Sequence, residues 1–98
     1  MLRRKGRRVR RGPVTVTWVA GDPGSSPRVA YAVGRQVGGA VVRNRLRRRL
    51  REIIRQASAD LSPGDYLVGA GPAAAAISYG ELRATVTEAL RAATDRRH

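Results

Sequence analysis

Between residues 14 and 20 the chain reads VTVTWVA, with Val14, Val16 and Trp18 alternating with Thr15, Thr17 and Val19. A period of two is the mark of a half-buried strand, one face on a core and the threonine-bearing face free to meet a ligand. GDPGSSP at 21–27 is a loop by composition. RVAYAVG at 28–34 predicts a strand antiparallel to the first, with Val29, Tyr31 and Val33 on one face. Gly34, Gly38 and Gly39 then bracket the segment RQV. Their spacing is not that of the dinucleotide fingerprint, so they predict a tight connection, with the free amides of the next helix as a weaker phosphate site.

From about Ala40 to Ser58 the period changes. Val42, Leu46, Leu50, Ile53 and Ala57 recur at helical spacing, and at 100° per residue all five fall within about 40° of Leu46. The same projection puts Asn44, Arg48, Arg51 and Arg55 within about 40° of the opposite direction. Arg43 and Arg47 flank that outer face on one side, and Arg45, Arg49 and Glu52 flank it on the other.

Beyond the helix, SPGD at 62–65 is a turn, YLVGAG is a short strand, and the alanines at 73–76 form a loop. Ser78 stands three residues before Glu81, the spacing of a capping box, and Leu82, Val86, Ala89, Leu90 and Ala93 continue as an amphipathic helix. Residues 1–11 read as a basic arm too short and too glycine-broken for a stable isolated helix, ordered only when bound. The expected organisation is a single domain, 1–98: arm 1–11, an α/β core 12–93 and a tail 94–98.

Charge gives this layout a purpose. The chain has 98 residues, 20 Lys+Arg and 7 Asp+Glu, a net charge of +13. Residues 1–55 hold 16 of the basic and 2 of the acidic side chains, so the binding surface belongs to the first half. Such an imbalance repels itself unless a polyanion neutralises it, and nucleic acid is the expected partner ahead of an anionic membrane. There is no cysteine, and the single histidine is His98, so disulfides, thiolate metal sites and a serine-histidine-aspartate hydrolase are excluded. No apolar run approaches the roughly 18 to 20 residues of a membrane span, and MLRRKGRRVRR lacks the apolar stretch of a secretory signal; a cytoplasmic protein is expected.

The segment GGAVVRNRLRRRLREIIR, 38–55, carries seven arginines against one glutamate. Arg43, Arg47, Arg51 and Arg55 are like charges at i, i+4, each pair costing a few tenths of a kcal/mol unless something external supplies negative charge. A solvated helix mixes its signs, and a disordered tail does not keep so regular an apolar stripe. The remaining reading is a helix held out toward a polyanion. Phosphate contacts of this kind give affinity and orientation with little sequence discrimination. Asn44 alone on that face both donates and accepts; its chemistry suits a base edge, a metal-bound water, or no role at all. Aromatic residues for base stacking are few, Trp18, Tyr31, Tyr66 and Tyr79, and core packing accounts for each equally well. The carboxylates are scattered, so no metal-nuclease cluster is expected.

At residues 34–55, GRQVGGAVVRNRLRRRLREIIR resembles the signature of the bacterial ribonuclease P protein component, S-K-K-V-G-N-A-V-x-R-N-R-x-K-R-x-x-R. The shared positions are Val37, Gly38, Ala40, Val41, Arg43, Asn44, Arg45, Arg48 and Arg51. The likeness extends through RVAYAV, PGDYLVGA and ISYGEL. It implies an accessory protein for a catalytic RNA that removes the 5′ leader of precursor tRNA with Mg2+ bound mainly by the RNA, no catalytic residue in the protein, and a monomer within the ribonucleoprotein. It implies an α-β sandwich with a central, mostly antiparallel sheet and the basic helix in a left-handed β-α-β crossover, ribosomal protein S5 domain 2-like, against the usual handedness.

By the same resemblance, Arg35, Arg43, Asn44, Arg45, Arg47, Arg48, Arg51 and Arg55 bind RNA, and Thr15 and Thr17 lie in a cleft for the leader. The chain departs from the pattern at Thr17, where an aromatic is common, and at Gly34, Gln36 and Gly39, where serine, lysine and asparagine are usual. The family's first helix is expected ahead of the basic arm, and this chain begins at or near its end. Two competitors remain: a structural ribosome-associated RNA-binding protein with no part in processing, and a helix-turn-helix DNA binder, which needs a short helix where RVAYAV reads as strand.

Overall fold

The computed structural model describes residues 6–95. Four strands, β1 (Arg7–Arg11), β2 (Val14–Ala20), β3 (Arg28–Val33) and β4 (Gly64–Ala70), form one sheet in the order β1-β2-β4-β3. Helix α1 (Ala40–Ala57) joins β3 to β4, and α2 (Tyr79–Thr94) follows β4. The pairs β1–β2 and β2–β4 are antiparallel and β3–β4 is parallel, as a helical crossover requires. The mixed α/β architecture and mostly antiparallel sheet agree with expectation.

Alternation in β2 decides which face of the sheet is covered. Val14, Val16 and Trp18 are buried, as are their β4 neighbours Tyr66, Val68 and Ala70. Both helices pack on that face, closing one cluster that includes Leu46, Leu50 and Ile53 of α1 and Leu82, Val86 and Leu90 of α2. The opposite parity, Thr15, Thr17 and Val19, lies on the uncovered face.

Three expectations need correction. The arm is not irregular over its whole length: Arg7–Arg11 is a strand, joined to β2 by the two-residue turn Gly12–Pro13, with Val9 opposite Val16. Its sequence carries one apolar residue, but Val9 packs on the core and the flanking arginines find partners on α2 and just beyond it. Arg11 pairs with Glu88 at 3.4 Å, and Arg7 Nη1 donates to the Asp95 carbonyl. Residues 1–5 of the expected arm and 96–98 of the expected tail lie outside the described residues. The strand at 28–33 runs antiparallel to β2 as expected, yet it does not pair with it, because β4 lies between them. β4 buries Gly64, Tyr66, Val68 and Ala70 and suits the centre, whereas β3 buries only Val33, exposes Arg28, Ala30 and Ala32, and takes the edge.

The alanine run is tighter than a loop, a 3₁₀ turn over Pro72–Ala75 with Ala74 buried. The capping box forms: the Glu81 amide donates to Ser78 Oγ at 3.1 Å, and the Ser78 amide donates to Glu81 Oε1 at 3.1 Å. Ser78→Ala removes one arm of it, and urea denaturation should show about 1 kcal/mol lost with an unchanged m-value; loss below about 0.3 kcal/mol would mean water replaces the hydroxyl.

Candidate nucleic-acid interface

Helix α1 is launched by glycine. Gly38 has φ +152°, and a Cβ on it would lie 3.1 Å from the Cβ and Cγ1 of Val42. The 3₁₀ turn Arg35–Val37 therefore folds directly against the first turn of the helix. Gly39 caps α1 without a side-chain hydrogen bond, and no acidic side chain in the first turn opposes the positive end of the helix dipole. Val41, in that turn, is 75% exposed.

The apolar stripe holds α1 to the rest of the molecule as its periodicity predicts. Leu46, Leu50, Ile53 and Ile54 are buried, and Val42 and Ala57 partly so. Ile54 widens the stripe beyond the projected five because α1 packs against α2 as well as the sheet. Each buried aliphatic contributes about 1.5–3 kcal/mol, against a few tenths per like-charge pair, so burial wins and the charged face is tolerated.

Of the sequence-predicted residues, Asn44, Arg45, Arg48, Arg51 and Arg55 are exposed on α1, and Arg35 is exposed on the turn before it; Arg43 and Arg47 are half-buried. Their surroundings differ. Arg47 Nη1 donates to Asn44 Oδ1 at 3.2 Å and Nη2 to the Val33 carbonyl at 3.4 Å, tying the helix to the end of β3 and fixing the Asn44 amide. Arg55 pairs with Glu52, whose other oxygen accepts from Gln56 at 3.2 Å. Arg43 Nε is buried without a partner among the described residues. Arg35, Arg45, Arg48, Arg49 and Arg51 form no ion pair or side-chain hydrogen bond with any described residue. Burial pushes the Tyr31 phenol up, and the nearby Arg51 charge opposes this.

The uncovered sheet face is a second basic surface. Across it run the rows Arg10, Thr15, Gly69, Ala32 and Arg8, Thr17, Leu67, Ala30. Small side chains make the floor shallow, and Leu67 is partly exposed at its centre. At one end a depression of about 710 Å³ is lined by Arg10, Thr15, Ala32, Gln36, Gly69 and Pro72, among others. Thr15 and Thr17 are thus brought together on the open face with Arg8 and Arg10. These two arginines were not singled out in the sequence; the alternation in RRVRR, with Val9 turned to the core, was the signal that could have found them. On the far edge Arg28 is engaged with Asp65 at 3.0 Å.

The buried aromatics serve the core. Trp18 and Tyr66 stack obliquely with centroids 6.3 Å apart, Trp18 Nε1 donating to the Pro63 carbonyl at 3.3 Å and the Tyr66 hydroxyl to the Ser62 carbonyl at 2.7 Å.

A sandwich whose longest helix carries a row of arginines away from the core, with further arginines on the open face of the sheet, has the surface of a polyanion-binding α/β protein. The ribonuclease P family model matches residues 1–94. The chain is 43% identical over 99 residues to the ribonuclease P protein component of Thermobifida fusca, covering 93% of this chain and 67% of that one. It is 47% identical over 85 residues to that of Acidothermus cellulolyticus, covering 83% and 69%. Its fold matches a Staphylococcus aureus RNase P protein mutant with a TM-score of 0.84 at 24% identity, covering 91% of this chain and 75% of that one. The chain belongs to the ribonuclease P protein family. With that membership goes the role of protein subunit of ribonuclease P in tRNA processing, partnered by the RNase P RNA.

Proposed function

We propose that the chain binds the catalytic RNA of ribonuclease P through the outer face of α1 and receives the 5′ leader of precursor tRNA along the open sheet face, so that the RNA removes the leader. The observation that carries this reading is the set Arg45, Arg48 and Arg51, at family-signature positions and without counter-charge from any described residue. Arg35, Arg43, Asn44, Arg47 and Arg55 complete the RNA-facing surface, Asn44 held in place by Arg47. Thr15 and Thr17 offer hydroxyls to the leader, with Arg8 and Arg10 beside them for its phosphates.

The reaction in this reading uses Mg2+ held mainly by the RNA. Among the described residues no three histidine, cysteine or carboxylate side chains gather where a metal ion would sit, and no protein residue is given a catalytic step. The protein contributes phosphate neutralisation and orientation. We place it in the cytoplasm as a monomer within the ribonucleoprotein; no described helix is long and apolar enough to cross a membrane.

Purifying the chain from cells at low salt and sequencing its RNA tests the assignment. Enrichment of ribonuclease P RNA is expected; a population dominated by ribosomal RNA would support the structural ribosome-associated alternative instead.

A further inference from the structure

The exposed arginines on the Arg45 and Arg49 side of α1 have a neighbour across a cleft. The start of α2 stands opposite them, and Arg45, Arg48, Arg49, Glu52 and Tyr79 line a cleft of about 310 Å³ between the two helices. Tyr79 is the first residue of α2, directly after the Ser78 cap, so the capping box fixes the backbone that carries its ring. It is half-buried, packed partly on the core while also lining the cleft. Glu52 is already engaged by Arg55 and Gln56, whereas Arg45, Arg48 and Arg49 have no ion pair with a described residue.

A pre-positioned aromatic ring beside three uncompensated guanidinium groups is the combination that holds an unpaired nucleotide. Stacking accepts any base, and the charges take the adjoining phosphates. We propose that this cleft is a nucleotide-binding subsite, in which one unpaired base of the bound RNA packs on Tyr79 and its phosphates meet Arg45, Arg48 and Arg49. The proposal deepens the reading of α1 as an RNA-binding helix and rests on it. It adds a stacking contact to a surface whose arginines otherwise meet phosphate. An acidic protein segment would use the arginines but would have no need of the ring.

Fluorescence anisotropy on the full chain tests this with two probes of equal backbone charge, a 12-nucleotide oligo(A) and an abasic strand of the same length. Tyr79→Leu should weaken oligo(A) binding roughly tenfold, the scale of losing one stacked base, and leave the abasic strand unchanged, while Tyr79→Phe keeps wild-type behaviour toward both. A circular-dichroism melt that matches the unaltered chain shows that the leucine variant is folded. Equal loss on both probes, or no loss on oligo(A), overturns the subsite while leaving the arginine face intact. Failure of the unaltered chain to hold either probe overturns the RNA-binding reading itself.

Discussion

Changing Arg48 and Arg51 together to alanine should weaken binding to ribonuclease P RNA by roughly tenfold to a hundredfold near 0.1 M salt and flatten its salt dependence. Both side chains are exposed on α1 and lack any ion pair with a described residue. Each that reaches a phosphate releases counterion on binding, so removing two should reduce the slope of log affinity against log salt by about 1.5 to 2. Fold stability should hold or rise slightly, because the two arginines stand within a like-charge row and their loss relieves repulsion. A filter-binding titration at several salt concentrations reads both quantities. An unchanged slope would mean that these arginines do not meet phosphate.

Gly64→Ala should have the largest effect on stability of any single methyl addition. Gly64 opens β4 with φ +140°, a conformation that other residues rarely adopt. A Cβ there would lie 2.3 Å from the Val19 carbonyl oxygen and 2.7 Å from Trp18 Nε1. Neither neighbour can yield easily: the first is backbone of the adjacent strand, and the second belongs to a buried ring bonded to Pro63. Backbone strain and overpacking each cost about 1–3 kcal/mol, so a loss of roughly 2–5 kcal/mol is expected. Chemical denaturation measures it; a loss under about 1 kcal/mol would show that the β2–β4 contact can open without cost.

The parts of this architecture that were legible in the sequence are those that local periodicity specifies. Val42, Leu46, Leu50 and Ile53 lie one above another in any α-helix, so the inner and outer faces of α1 followed from spacing alone. Val14, Val16 and Trp18 did the same for β2, and the Ser78–Glu81 spacing announced the start of α2. The missed features depend on residues far away in the chain. RRVRR is a strand because β2 accepts it and because Glu88 and Asp95, on α2 and just beyond it, hold its arginines; nothing within five residues encodes that.

The position of β3 at the sheet edge likewise depends on β4 arriving between it and β2 after the α1 crossover. Individual residues show the same division. The helical projection sets Arg48 on the outer face and Arg47 at its flank, but only the packed structure turns Arg47 back to Val33 and Asn44 while Arg48 stays exposed. In the sequence Tyr79 is one of four aromatics for which stacking and core packing serve equally well, and its place opposite Arg45 and Arg49 exists only once α2 docks beside α1.

In the reading proposed above, this arginine-faced sandwich serves a catalytic RNA in tRNA processing. Cleavage of a 5′-extended precursor tRNA by the matched ribonuclease P RNA, at low magnesium and near-physiological salt, measures this directly. With the chain present, the RNA should release the leader many times faster than it does alone, and the Arg48→Ala/Arg51→Ala variant should need a higher concentration for the same effect. Equal cleavage rates with and without the protein would contradict the claim.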